Sequence, residues 1–193
     1  MLTLRRLLLL CCVLLAASAH AQLAARSAPI LLVASPALHD PNFAQSVVLV
    51  MFPEGGGPTG VILNRPTPLA WSEAFPDEPG LRARSDTIYF GGPVRMRALW
   101  YLFRQSEARD NALSVVDDLY LSADGNLLDR LLAHQQRVER FFVGYSGWAP
   151  TQLEVEIAQG AWHVLPADLD SILNLDPQTM WRDLLLRATA VNT

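Results

Sequence analysis

Several polar side chains stand beside glycine-rich turns and are the residues best suited to bind a ligand. They are Asp40, Asn42, Asn64 and Arg65, near the glycines Gly91, Gly92 and Gly144. A guanidinium fork binds a carboxylate or phosphate through two parallel hydrogen bonds. If these loops converge at one end of a sheet, Arg65 anchors a small anionic ligand or an acidic residue of a partner protein. The alternative is structural, with Asx turns closed by Asp and Asn and an internal pair between Arg65 and Asp40 or Glu154.

A serine lies between two glycines in the segment Gly144-Tyr145-Ser146-Gly147-Trp148. The nucleophile elbow needs a glycine two residues after the serine, and Trp148 occupies that position. The segment is therefore interpreted as a tight turn whose glycines permit positive φ. A ligand surface is the alternative, in which Tyr145 takes part and Trp148, if exposed, adds an apolar anchor of the kind that interfaces favour. No catalytic residue is assigned.

Metal and cofactor sites are not predicted. His39, Asp40 and His163 are the nearest to a ligand set, but no spacing places two ligands on one face of one element. The glycine-rich stretch 54–60 lacks the Lys-Ser/Thr pair that ends a phosphate loop and is predicted to be a hairpin or mobile loop. The sequence contains no lysine, which excludes P-loop, kinase and Schiff-base chemistry.

The first 21 residues have the features of a cleavable signal peptide. Arg5 and Arg6 precede an apolar run over residues 7–17, which is shorter than the roughly 20 residues of a spanning helix. Ala19 and Ala21 then supply the small residues of an A-x-A cleavage signal. We expect export to the periplasm and a processed chain that begins at Gln22. The alternative is an uncleaved membrane anchor or an over-called start codon, and the protein is cytosolic if the signal is not used.

Processing changes the composition in a way that excludes several function classes. Removal of 21 residues from 193 leaves 172, with 13 arginines against 19 acidic residues and a net charge near −6. Cys11 and Cys12 leave with the signal, so a disulfide, a thiolate zinc site and a cysteine nucleophile are excluded. No nucleic-acid partner is expected, because the acidic chain has no arginine-rich run. Contact with the membrane is expected only through the signal peptide during export.

One domain is expected at this length, preceded by a loose leader at residues 22–28 and spanning residues 29–193. Apolar runs bounded by turn residues predict strands at 29–34, 46–52, 61–63, 87–90, 99–104, 112–116, 119–121, 141–144 and 162–165. Helices are predicted at 127–134, after a capping box over residues 151–154, and after Asp176 and Pro177. In the last helix Met180, Leu184 and Ala188 share one face and should pack on the sheet.

These elements carry a resemblance to a known family. The segments 31–50, 59–67, 89–94 and 142–168 are similar to the successive signature blocks of the AlgH/YqgE family, and MWRDLL at 180–185 also fits. The resemblance covers essentially the whole processed chain. It implies a single α+β domain in which a branched, mostly antiparallel sheet curls into a pseudo-barrel flanked by helices. It implies no reaction, because the family has only a regulatory label linked to alginate.

Three functions from different classes follow from these patterns. The first is a non-catalytic binding or regulatory protein of the cell envelope, whose partner is an unknown protein or a small anionic ligand. The second is a hydrolase-type enzyme that uses Asp40, His39 or Glu154 as general acid or base. The third is a transcription-linked regulator, as the family label implies, which requires a clustered arginine face that the sequence does not display.

Overall fold

The computed structural model describes residues 28–106 and 111–190 as an α+β domain with nine strands and six helices in these ranges. The strands are β1 (Ile30–Ala34), β2 (Val47–Met51), β3 (Thr59–Ile62), β4 (Ile88–Phe90), β5 (Val94–Arg104), β6 (Leu113–Val116), β7 (Leu119–Ser122), β8 (Val138–Gly147) and β9 (Trp162–Pro166). The helices are α1 (Trp71–Ala74), α2 (Pro79–Arg82), α3 (Gly125–Ala133), α4 (Gln152–Ala158), α5 (Leu169–Leu173) and α6 (Met180–Ala190). Among these six helices, none combines the length and the hydropathy that a membrane-spanning segment requires.

The strands form one curled sheet that branches at β8. The strand order is β6-β7-β5-β8-β3-β2-β1-β9, and all of these neighbours are antiparallel. β4 adds the branch by pairing in parallel with β8, with Ile88 beside Phe141. β3 pairs further along β8, with Thr59 opposite Gly147. The predicted architecture, a single domain with a branched and curled antiparallel sheet and flanking helices, is confirmed.

Glycine makes the branch possible, because two segments of backbone meet there without room for a side chain. Gly144 has φ of +70°, and a Cβ on it would lie 2.3 Å from the carbonyl oxygen of Gly92. Gly92 has φ of +147°, and a Cβ there would lie 2.4 Å from Ser146 Oγ. Positive φ is accessible to glycine without steric cost. The glycines at the branch are therefore required by the fold.

Apolar side chains cover both faces of the sheet. One face forms a single apolar cluster, on which α5 and α6 pack through Ile172, Met180 and Leu184. The opposite face is divided into two clusters. In the first cluster, Leu32, Val48 and Ile62 of β1–β3 pack with α4 and with two tryptophans, Trp148 and Trp162. In the second cluster, β5, β7 and β8 pack beneath α1 and α3. At about 25 cal/mol per Å² of buried apolar surface, this packing is the main stabilising contribution.

The structure differs from the sequence-based expectations in several elements. The predicted turn at residues 145–148 is wrong, because β8 continues to Gly147. The predicted capping box is wrong as well, since Thr151 has φ of +67° and its side chain makes no cap hydrogen bond. β5 begins at Val94, five residues before the predicted strand, and α1, α2 and α5 were not predicted. The predicted signal peptide and nearly all of the predicted leader lie outside the described residues.

Candidate functional site

The four predicted polar residues do come together, and they hold the loop before β2. The Arg65 guanidinium donates to the backbone carbonyls of Pro41, Asn42 and Ala44, at 3.0 Å for Pro41 and 2.8 Å for Ala44. Asn64 donates through Nδ2 to the carbonyl of Gln45 and accepts from the amide of Val47, both at 2.9 Å. We call this arrangement, Asn64 and Arg65 against residues 40–47, the loop clamp.

The aspartate in the loop clamp closes a local turn. Asp40 Oδ1 accepts from the amide of Asn42 at 2.8 Å, as predicted for an Asx turn. Burial lowers the pKa of Arg65, and the nearby Asp40 charge opposes that shift. The guanidinium still remains charged at neutral pH. Loop carbonyls take three of the five guanidinium N–H donors, and an anionic ligand at Arg65 stays a prediction.

Trp148 is buried, with 7% of its surface exposed, so it is no exposed interface anchor. Its indole Nε1 donates to Glu156 Oε2 at 2.9 Å, and Trp162 Nε1 donates to the same oxygen at 2.9 Å. Phe43 packs against both indole rings, at centroid distances of 6.3 and 5.6 Å. We call Trp148, Trp162 and Glu156 the tryptophan clamp. The sequence analysis singled out Glu154, which is exposed, and missed Glu156 two residues later.

Ser146 is fully buried, and its Oγ donates to the carbonyl of Gly91 at 3.1 Å. This bond joins β8 to the glycine turn that follows β4. Tyr145 packs against Trp100, with ring centroids 5.5 Å apart. Ser146 and Tyr145 therefore serve the branch point of the sheet, and neither lines any of the five cavities described for this structure.

Histidine and acidic residues do not assemble a metal site in the part of the chain that the structure describes. His39 Nδ1 bonds to the carbonyl of Ala37. His163 lies on β9, opposite Val33 of β1.

Arg140 is a buried cation that the sequence analysis missed. It is 8% exposed, donates to the carbonyl of Leu63 at 3.0 Å, and lies over the ring of Tyr89 at 4.8 Å. Burial lowers its pKa, and no carboxylate among the described residues forms an ion pair with it. Its contacts tie β8 to the segment after β3 and to β4, which is a structural role.

The largest cavity described for this structure lies between the α1–α2 segment and α3, over β5. Its volume is about 520 Å³, within the range of ligand pockets. Its lining combines the apolar side chains of Phe75, Leu81, Leu99, Leu128 and Leu132, which we call the floor, with polar and charged groups, which we call the rim. The lining residues are Phe75, Glu78, Gly80, Leu81, Arg97, Leu99, Tyr101, Ala123, Gly125, Asn126, Leu128, Asp129 and Leu132. A smaller cavity of about 240 Å³ shares Phe75, Glu78 and Arg97 and adds Glu73 and Asp77. We call the two together the acidic cleft.

Hydrogen bonds fix the walls of the acidic cleft. Asp124 begins α3 by accepting from the amide of Leu127 at 2.7 Å. Tyr101 Oη, on β5, donates to the carbonyl of Asp124 at 2.8 Å and so joins α3 to the sheet. Burial is the main cause of the raised pKa of Tyr101. Across the cleft, Trp71 Nε1 donates to the carbonyl of Asp86 at 2.7 Å and anchors the α1–α2 segment.

The charged groups of the acidic cleft differ from those of the clamps, because all of them except Glu73 make no hydrogen bond or ion pair within the described ranges. Glu73, Asp77, Glu78 and Asp129 are exposed, as is Arg97, and none takes part in an ion pair within the described ranges. Glu73 accepts only a long hydrogen bond, 3.4 Å, from the amide of Ala70. The rim therefore has three carboxylates and one guanidinium free to meet an external partner, and Glu73 is a fourth carboxylate that caps α1.

Comparison with known proteins places the chain in a family. The model of the AlgH-like family matches residues 31–191. The chain belongs to the AlgH-like family. A UPF0301 protein of Myxococcus xanthus is 38% identical over 168 residues, which are 86% of this chain and 92% of the relative. A UPF0301 protein of Streptomyces avermitilis is 36% identical over 81% of this chain and 84% of its own length.

Solved structures agree with membership of the AlgH-like family. The solution structure of the AlgH protein from Pseudomonas aeruginosa superposes with a TM-score of 0.65 at 28% identity, covering 86% of this chain and 88% of that chain. The crystal structure of protein DIP2367 from Corynebacterium diphtheriae has a TM-score of 0.63 at 24% identity over 83% and 86% of the two chains, and supports the fold alone. These comparisons confirm the predicted family, and they name no reaction.

Proposed function

We propose that this chain is a non-catalytic binding protein of the cell envelope with a regulatory role. The observation that supports this function best is the acidic cleft. It combines apolar lining residues, a volume of about 520 Å³ and a rim of charged groups that form no ion pair in the described ranges. Such a cleft offers buried contact area and charge selection, which are the two requirements of a binding site.

The geometry gives less support to a hydrolase. General acid–base catalysis requires side chains that reach one substrate together. His39 lines a cavity of about 280 Å³ near Trp181, whereas Glu154 lines a different cavity of about 440 Å³ beside α4. Asp40 is engaged in its own turn. No observation favours the hydrolase over the binding protein, and the enzyme stays a prediction.

The envelope location rests on the signal-like residues 1–21 of the sequence. Cell fractionation followed by intact-mass measurement of the native protein tests this part of the proposal. We expect a periplasmic chain that begins at Gln22, a location that removes direct control of transcription. A cytosolic chain of full length would overturn the export proposal and would favour the transcription-linked regulator.

Binding itself is tested by capture from envelope extracts. Immobilised protein with the natural sequence should retain a partner, and the Gly125→Trp variant should not. Gly125 lines the cleft, and a Cβ on it meets no atom within 4 Å, so a large side chain fills the cavity without a clash at its base. Equal retention by both proteins would show that the partner binds elsewhere. Release of a covalently altered partner would support an enzyme instead.

A further inference from the structure

The acidic cleft selects its partner by combining an apolar floor with a rim of mainly one charge. We propose that it binds a basic amphipathic peptide segment of a partner protein. A large apolar side chain of the peptide lies on the floor, and flanking lysine or arginine side chains pair with the rim carboxylates. This inference rests on the proposed binding function and names the partner class of the same site.

The floor is suited to a large apolar side chain. Phe75, Leu81 and Leu99 are only partly buried and face the cavity, with Leu128 and Leu132 of α3 beside them. Covering such surface on binding contributes about 25 cal/mol per Å² of apolar area removed from water. A cavity of about 520 Å³ is larger than one side chain, so it also holds part of the neighbouring peptide.

The rim sets the charge of the partner. Glu73, Asp77, Glu78 and Asp129 line the two connected cavities, and Arg97 is the one basic residue among the described lining residues. Unpaired carboxylates around a low-dielectric floor attract cations and raise the rate of their association. A cationic peptide therefore gains from four carboxylates, whereas an acidic peptide meets only one guanidinium.

Two other occupants fit less well. A small inorganic cation gains nothing from the apolar floor, and no metal-capable group of three His, Cys, Asp or Glu residues occurs in the described ranges. A second copy of this chain is also disfavoured, because the chain has 19 acidic against 15 basic residues and no lysine. The complementary partner is therefore a basic segment of a different protein.

Fluorescence anisotropy of dye-labelled, end-blocked heptapeptides tests the inference with the whole protein. One peptide carries a central phenylalanine flanked by lysines. A second replaces the lysines with glutamates, and a third replaces the phenylalanine with serine. We expect binding of the first peptide, at least about tenfold weaker binding of the other two, and weaker binding of the first as salt is raised from 50 to about 300 mM.

Matched variants locate the binding site. Glu78→Gln with Asp129→Asn removes two rim carboxylates and should weaken the lysine peptide about tenfold or more. Glu54→Gln with Asp117→Asn removes the same charge at exposed positions that line neither cavity, and should change the affinity less than twofold. Gly125→Trp fills the cleft and should abolish binding, while Arg97→Ala should strengthen it by removing the like charge. Far-ultraviolet circular dichroism verifies that each variant is folded.

Several results would overturn the inference. They are equal affinity for the lysine and glutamate peptides, equal losses in the two double variants, unchanged binding in folded Gly125→Trp, or self-association that occupies the cleft at the assay concentration. Failure of the proposed function looks different. If envelope capture depends on Gly125 but the peptides do not bind, the site stands and the partner class is wrong. If nothing is captured at all, the binding function itself is wrong.

Discussion

The two clamps and the acidic cleft use polar side chains in opposite ways. In the loop clamp and the tryptophan clamp, the functional atoms of Arg65, Asn64 and Glu156 are taken up by backbone carbonyls and indole N–H groups of the same chain. In the acidic cleft, Glu78 and Asp129 have no ion-pair partner in the described residues. Removing the partner of a hydrogen-bonded group that is shielded from water lowers the free energy of unfolding. Replacing an exposed, unpaired group changes it little. The clamps therefore maintain the fold, and the cleft is free to bind.

The largest expected effect tests the branch point of the sheet. Gly144→Ala places a methyl group against the carbonyl of Gly92 at a backbone position with φ of +70°. We expect the free energy of unfolding to fall by about 3 kcal/mol or more, or the protein not to fold. Gly125→Ala in the cleft is the control, with a change within about 1 kcal/mol, because the added methyl group meets no atom within 4 Å. Urea unfolding measures the free energy of unfolding of both variants. Equal losses in Gly144→Ala and Gly125→Ala would contradict the assignment of the branch point to the fold and of the cleft to binding.

The tryptophan clamp should show the next largest effect. Glu156→Ala leaves the buried Trp148 and Trp162 indole N–H groups without their shared acceptor. We expect a loss of about 2–4 kcal/mol, because an unsatisfied buried donor costs about 1–3 kcal/mol. Glu154→Ala, on the exposed side of the same helix, should stay within about 0.5 kcal/mol. Thermal and urea unfolding measure the stability of both variants. Equal stability of Glu156→Ala and Glu154→Ala would contradict the stabilising role of the tryptophan clamp.

The loop clamp should follow, with a smaller effect. Arg65→Lys retains the charge, but a single ammonium cannot reproduce the fork that spans the carbonyls of Pro41, Asn42 and Ala44. We expect a loss of about 1–2 kcal/mol and faster amide hydrogen exchange in residues 40–47. Arg97→Lys in the cleft should leave both quantities unchanged. Slower or equal exchange in the Arg65 variant would contradict the assigned role.

The smallest effect concerns Asp168, a third internally paired group. Burial opposes the charge of Asp168, but hydrogen bonds from Ser171 and Arg187 outweigh it and lower the pKa of the carboxyl. The folded-state pKa of Asp168 lies below the unfolded value of about 3.9. The charged carboxylate therefore stabilises the fold above about pH 4, and this stabilisation is lost as the pH falls further. The group is about one-third exposed, so the stability involved is under about 1 kcal/mol. Asp168→Asn should flatten the loss of stability between about pH 4 and 2, and an unchanged profile would contradict this assignment.

The fold was largely predictable from sequence because a continuous apolar run bounded by turn residues is the pattern of a buried strand. β1 and β2 are such runs, and both are almost wholly buried. The structure also brings the loop residues Asp40, Asn42, Asn64 and Arg65 together, since they stand next to strand ends that converge. The turn predicted at Tyr145–Trp148 failed because glycines that permit a turn also permit the close approach of two strands at a branch.

The acidic cleft could not be predicted in the same way. It is lined by α1, α2 and α3 together with β5, and two of these helices have only four residues each. Short helices give no periodic signal. Glu78, Arg97 and Asp129 are also far apart in the sequence, and each is an ordinary surface charge until the chain is folded. Glu156 was missed because its partners, Trp148 and Trp162, lie on different elements.

Site-specific photo-cross-linking in cells tests the central claim most directly. A photoreactive residue at position 125 lies in the acidic cleft, and one at position 54 lies on the exposed β2–β3 turn. We expect a discrete cross-linked envelope protein from position 125 and none from position 54, with a linked peptide that has a large apolar residue flanked by lysine or arginine. The same products from both positions, or a linked peptide that is acidic, would contradict the assignment of the cleft as the binding site for a basic partner.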